Sequence, residues 1–266
     1  MNSIDFATSL TATLLRTGAG TYARPACRQP QQLLQLYEFE GCPHCRLVRE
    51  VITELDLDVQ VFPCPKGGKR YRSGVIERGG KAQFPYLIDP DESVAMYESA
   101  DIIRYLFNTY TDAGVPLRWV LVELQRLGSS LAGLARVPRG MRVQPSLAPA
   151  APLELFSYES NPFARPVREL LCTMELSYVL RSVAPSRLVE WFPSHLRPKI
   201  DPAYTPDTRN RRFLMERCGR VLIPYLVDPN TGQEVSGCQE IAGHIKSTYA
   251  ADDSANANST GATPVR

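Results

Sequence analysis

Cys42-Pro43-His44-Cys45 is the stretch of this chain best suited to chemistry. Two thiols at this spacing can close a disulfide, and the expected strand-to-helix junction puts Cys42 against the unpaired N–H groups of a helix start. Those groups and the helix dipole favour a thiolate at Cys42, and Cys45, one turn along, can reach back to resolve it. The dipole contributes only about 0.3–1 kcal/mol, less than one pKa unit of about 1.4 kcal/mol. Glu40 opposes the shift. The rest is expected from the basic stretch Lys66, Lys69, Arg70, Arg72, Arg78 and Lys81 if it folds over the site; the alternative is a solvated loop. Structural zinc would need two further ligands, and only Cys64 and His44 lie near in sequence, so no metal is expected. Cys64 follows the expected second strand, parallel to and beside the first, which makes it a candidate third thiol. The competing reading is a cysteine that fills a gap at the strand end. Glu98-Ser99 stands before a helix, where it can cap the helix and bind the amino and carboxylate groups of an amino acid.

The pattern around the thiols occurs twice. Tyr37 to Glu50 is matched by Phe156 to Glu169, with Asn161-Pro162-Phe163-Ala164 in place of the Cys motif. Val48, Val51, Ile52 and Leu55 answer Val167, Leu170, Leu171 and Met174 at helical spacing. Phe84-Pro85-Tyr86-Leu87 answers Ile223-Pro224-Tyr225-Leu226. The chain therefore reads as a duplicated α/β unit whose second copy has lost both thiols and carries Gly237-Cys238 where the first has Glu98-Ser99.

The elements that must position these residues follow from periodicity. In the first copy they are a strand at 33–39, a helix at 43–55, a strand at 58–63, a basic Gly-rich connection, a hairpin of 86–88 with 94–96, and a helix at 101–110. This β-α-β-(α)-β-β-α order is that of a thioredoxin-like unit, and the second copy repeats it from 153 to 249 with a longer middle, Pro185 to Asp207. The expected architecture is α/β, with two tandem thioredoxin-like domains at 33–112 and 153–250, each a four-stranded mixed sheet flanked by helices. Segment 1–32 reads as an amphipathic helix docked on the first domain plus a lead-in; its scarcity of acids also loosely resembles an organellar transit peptide. Segment 113–152 reads as a linker helix, 116–135, with Leu117, Val120, Leu121, Leu124, Leu131 and Leu134 near one packing face, and then a Pro-rich linker. The small, polar segment 251–266 reads as a disordered tail.

Composition bounds the rest. The 266 residues, 44% hydrophobic, suffice for two small cores, and a net charge of +2 argues against nucleic acid or a membrane surface as partner. No apolar run approaches the roughly 20 residues that span a bilayer. Seven cysteines with no recognisable secretory signal favour a reducing compartment, the cytoplasm or, in a photosynthetic eukaryote, the plastid stroma.

Together, Cys42-Pro43-His44-Cys45, Pro63-Cys64-Pro65-Lys66-Gly67, the Phe84-Pro85 strand start and Glu98-Ser99 resemble the glutaredoxin-like N-terminal domain of glutathione S-transferases. The chain is most similar to tandem proteins of that kind in bacteria, cyanobacteria and plastids with one Cys-Pro-x-Cys copy and one degenerate copy. The resemblance implies a cis proline at Pro85 and at Pro224. It implies glutathione as co-substrate: Cys42, with Pro43 and His44, faces its sulfur, Phe84 and Pro85 hold its cysteinyl backbone, and Glu98 and Ser99 hold its γ-glutamyl end. The all-helical second domain of the transferases has no counterpart in the sequence. Three functions remain open. The first is a glutaredoxin-like thiol–disulfide oxidoreductase acting through Cys42 and Cys45, with glutathionylated or disulfide-bonded proteins as partners. The others are a non-catalytic glutathione-binding module and a glutathione transferase or isomerase.

Overall fold

The structure, a computed structural model, describes residues 3–192 and 196–251. The expected tail at 251–266 therefore lies, beyond Ala251, outside the described residues. The chain runs α1 (Ser3–Leu14), β1 (Leu34–Glu38), α2 (Pro43–Glu54), β2 (Val59–Pro63), α3 (Arg72–Gly79), β3 (Tyr86–Asp89), β4 (Val94–Tyr97), α4 (Ser99–Tyr110), α5 (Leu117–Val120) and α6 (Val122–Leu134). It continues through β5 (Leu153–Ser157), α7 (Arg165–Thr173), β6 (Tyr178–Ser182), α8 (Arg197–Ile200), α9 (Arg209–Cys218), β7 (Tyr225–Asp228), β8 (Gln233–Ser236) and α10 (Cys238–Tyr249).

Alternation along β1 sends Leu34 and Leu36 to the α2 face and Tyr37 to the α3 face. β1 pairs parallel with β2 and antiparallel with β3, and β4 closes the hairpin; β5 to β8 repeat this pattern. Instead of the two separate four-stranded sheets expected, the strands form one eight-stranded sheet ordered β4-β3-β1-β2-β6-β5-β7-β8. The junction is β2 against β6, antiparallel, with Val59, Gln60 and Val61 opposite Leu180, Val179 and Tyr178. Each of these would be an edge strand in its own half, and pairing them satisfies the backbone groups that an open edge leaves bare. The α2/α4 and α7/α10 faces accordingly share one apolar core, from Leu36, Val48 and Leu106 to Leu155, Leu171 and Ile241.

Two expectations need correction. The single helix at 116–135 is broken at Leu121 (ψ 46°), and its apolar stripe does not face the core: Leu117, Val120, Leu121, Leu124, Leu131 and Leu134 are exposed. The face that packs carries Val122, Ser129 and Ala132, small enough for α6 to lie close on α2. The amino-terminal helix docks mainly on the second half rather than the first. Ser9 Oγ donates to Pro162 O (2.9 Å), Thr13 Oγ1 to Ser160 O (2.7 Å), and Phe6 lies against Phe163.

These two helices are counterparts. Ser9, Ala12, Arg16 and Gly20 occupy the places of Ser129, Ala132, Arg136 and Gly140, all at a constant offset. Ser129 Oγ donates to Pro43 O (2.7 Å) as Ser9 does to Pro162 O. Arg16 forks onto Glu50, and Arg136 onto Glu169. The crossing is reciprocal: α1 lies at Pro162 ahead of α7, and α6 at Pro43 at the start of α2. Between them lies a buried ionic cluster with the same symmetry. Arg49 pairs with Glu159 (2.8 Å), and Arg168 with Glu40 (3.0 Å) and Glu159 (3.1 Å).

Candidate functional site

Cys42 is the N-cap of α2, in extended backbone (φ −80°, ψ 123°), with Pro43 at the first helical position where the missing N–H costs nothing. Its Sγ accepts the backbone N–H of Cys45 at 3.3 Å. The Cys42 thiol is held below its ordinary value, chiefly by hydrogen bonding from Cys45, against the opposing effect of burial. Cys45 is fully buried, and burial first, then its hydrogen bond to Cys42, pushes it well above its ordinary value. The two thiols are thus displaced in opposite directions.

The electrostatic source differs from the one expected. Hydrogen bonds, not the basic loop, dominate the shift at Cys42. Arg70 donates to Glu175 O (2.6 Å), Arg72 to Pro65 O (2.9 Å) and Cys64 O (3.0 Å), and Arg78 to the Tyr37 hydroxyl. The nearest backbone carbonyls and rings claim these side chains before the thiol can. Nor is Glu40 the opposing acid, because Arg168 and Arg49 hold it in the ionic cluster. That part belongs to Glu38, at the end of β1 and buried, whose carboxyl is pushed up to about 7 by burial despite its ion pair with Arg49. Sequence reading missed Glu38; as the last residue of an apolar strand it would have been the signal.

The remaining predicted residues surround the motif. His44 is partly buried and held below its ordinary value by burial and then Arg126 of α6, against the pull of Glu98, so it is neutral near pH 7. The Phe84–Pro85 peptide is cis, as is Ile223–Pro224; a third, Val137–Pro138, was not foreseen. Phe84 meets Phe39 of the motif turn edge-on at 6.2 Å, which places the cis-proline segment beside Cys42, and Arg72 lies 4.8 Å over its other side. Glu98 caps α4 from left-handed backbone (φ 68°), receives a hydrogen bond from Gln83, and is exposed; Ser99 behind it is buried. Gln83 is a second residue that no sequence pattern marked. Cys64 does not join this group. It is buried on the α3 face with Tyr37, Val75 and Tyr86, and burial raises its thiol far above the ordinary value.

The second half keeps the cap and loses the nucleophile: Asn161 Oδ1 accepts the N–H of Phe163 (3.0 Å) and of Ala164 (2.9 Å), where Cys42 Sγ accepts that of Cys45. At the place of Glu98 stands Gly237, which takes its positive φ of 91° without strain. All seven cysteines are unpaired. Among the described residues no cluster of three or more His, Cys, Asp or Glu side chains could hold a metal, and no helix is long and apolar enough to cross a membrane.

Residues 36–114 match the family model of the glutathione S-transferase N-terminal domain. That region has the thioredoxin-like fold of such domains and contains Cys42, Cys45, Pro85, Glu98 and Ser99. Two solved structures of Bombyx mori glutathione transferase BmGSTD1 are similar. One is 22% identical, over 32% of this chain and 39% of that one, with a TM-score of 0.26. The other, a complex with GTT, is 23% identical, over 39% and 50%, with a TM-score of 0.29. This chain spans half or less of their length. The comparison with curated proteins gives no match.

Proposed function

We propose that the chain is a glutathione-dependent thiol–disulfide oxidoreductase that attacks with Cys42 and resolves with Cys45. The observation that carries this is the opposite displacement of the two thiols across a single hydrogen-bonded turn. The Cys42 thiolate attacks the glutathione sulfur of a mixed disulfide. That S–S bond breaks, the partner leaves as a thiolate and takes a proton from water, and Cys42 becomes glutathionylated. A second glutathione thiolate then attacks the bound glutathione sulfur, releasing Cys42 and oxidised glutathione. In the dithiol branch Cys45 gives up its proton, attacks Cys42 Sγ and expels glutathione, and two further glutathiones reduce the resulting disulfide.

Glutathione would lie with its cysteinyl backbone along cis-Pro85 and its γ-glutamyl end at Glu98 and Ser99. Two tandem domains are our reading of the repeated topology, with the second serving as scaffold because Asn161 and Ala164 offer no thiol. Unpaired cysteines throughout fit a reducing compartment, cytoplasm or plastid stroma. Turnover of a small glutathione mixed disulfide tests the proposal: Cys42→Ser should abolish it and Cys45→Ser should keep the first branch. Undiminished turnover in Cys42→Ser would refute it. The match to the transferase N-terminal domain favours conjugation as a second reading, and a wild type that conjugates a model electrophile without reducing the mixed disulfide would select it. The slight exposure of Cys42, 5%, favours a binding module as a third; glutathione binding with neither activity would select that.

A further inference from the structure

We propose that the outer face of α5 and α6 is a self-association surface on which two copies of this chain pair antiparallel. On α6, Leu124, Leu127, Leu131 and Leu134 stand at the a/d spacing of a coiled-coil seam, and Leu117 and Val120 of α5 continue its alternating steps of three and four across the break at Leu121. All six are exposed, by 56 to 73%, while Trp119, Val122, Ser129 and Ala132 on the opposite side bury α5 and α6 against their own chain. An apolar stripe of this extent is unusual on a surface that none of the described residues covers.

The fold itself does not require the stripe. α1 is the counterpart of α6 and keeps its packing residues, yet it carries Ile4, Ala7, Thr11 and Leu14 where α6 has Leu124, Leu127, Leu131 and Leu134. The leucines therefore have no packing role among the described residues.

A second copy fits them. The seam is symmetric about its midpoint, so in an antiparallel pair Leu117 meets Leu134, Val120 meets Leu131 and Leu124 meets Leu127, each contact occurring twice, as an isologous interface demands. Its flanks offer no like charges to oppose this. Gly128, Ser130 and Ala135 are small and neutral, Glu123 comes level with Ser130 of the other copy, and Glu123 is already paired with Arg126 at 2.7 Å. Burying a leucine removes on the order of 100 Å², so six give roughly 600 Å², and Leu121 and Val137 at the margins carry this toward the roughly 800 Å² per partner of a standard interface. The same helix supplies the Ser129 contact to Pro43, so pairing would also hold α6 against the Cys42 site.

The test is the mass in solution of the full chain, by light scattering or sedimentation, with circular dichroism as the check on folding. The wild type should show twice the chain mass of 29.7 kDa. Leu124→Glu should reduce it to the single mass with an unchanged spectrum. Leu124→Glu combined with Leu127→Lys should restore the pair, because these positions face each other only in the antiparallel register. Ile4→Glu on α1 should leave the pair intact. A wild type that stays single, whether or not it binds lipid vesicles, would overturn the proposal. So would a pair that survives Leu124→Glu or is lost in Ile4→Glu.

Discussion

At the scale of residues, one turn of helix pulls two thiols apart: Cys42 accepts the hydrogen bonds that Cys45 supplies, and burial acts most strongly on Cys45. The helix-start position of Cys42 was legible because a Cys-Pro-x-Cys at a strand-to-helix junction puts the first cysteine at the N-cap. Its surroundings were not, since a chain pattern does not reveal which carboxylate is buried. Glu38 shows the consequence. Its carboxyl is raised to about 7 from an ordinary 4.5, so the folded state favours the protonated form. That contribution is complete below the ordinary value and is lost as pH rises through 7. Glu38→Gln should flatten this fall, and denaturant titrations near pH 5 and near pH 8 should show wild type losing more stability than the variant between them. Parallel losses would contradict the assignment. Glu98 makes a different argument. A non-glycine residue at φ 68° costs roughly 1–3 kcal/mol, and the second half avoids that cost with Gly237. Glu98→Gly should therefore stabilise the fold by about 1 kcal/mol or leave it unchanged, while calorimetry shows weaker glutathione binding. Unchanged affinity would remove Glu98 from the site.

At the scale of elements, strands and core helices were legible to within three residues, because alternation and the 3.6-residue period come from burial on one face. The same rule misled at 116–135, where a leucine stripe has the same spacing whether it meets its own core or a partner. The true packing face is written in small and polar residues, Ser129, Ala132 and Arg136, which carry no hydrophobic signal. Their recurrence as Ser9, Ala12 and Arg16 was the clue available in the sequence. Functionally, α6 lies over the start of α2 through Ser129 and Pro43. Removing that hydrogen bond, worth about 1 kcal/mol, should loosen α6, so Ser129→Ala should raise the alkylation rate of Cys42 roughly five-fold. The same change at Ser9, which touches Pro162 instead, should leave that rate alone. Equal effects of the two would mean that α6 does not guard the thiol.

At the scale of the whole molecule, the repeated strand pattern was visible but its joining into one sheet was not. The repeat predicts two α/β units; that β2 and β6 join them into one sheet depends on edge strands finding each other, which no local pattern encodes. The buried exchange of Arg49 with Glu159 and Arg168 with Glu40 was equally hidden, since arginines on amphipathic helices read as solvent-facing. Such pairs cost desolvation and hold only with good geometry, which the crossed arrangement of the two halves provides. The molecule that results is asymmetric in chemistry and symmetric in frame: both halves keep the cis proline and the helix cap, and one keeps the thiols.

The central claim, that glutathione disulfide chemistry begins at Cys42 and only there, is tested most directly by trapping. The full-length Cys45→Ser variant, which cannot resolve the intermediate, should be treated with one equivalent of oxidised glutathione and mapped by peptide mass spectrometry. A single glutathione adduct is expected, on Cys42, with Cys27, Cys64, Cys172, Cys218 and Cys238 unmodified. An adduct on one of those five in preference to Cys42 would contradict this.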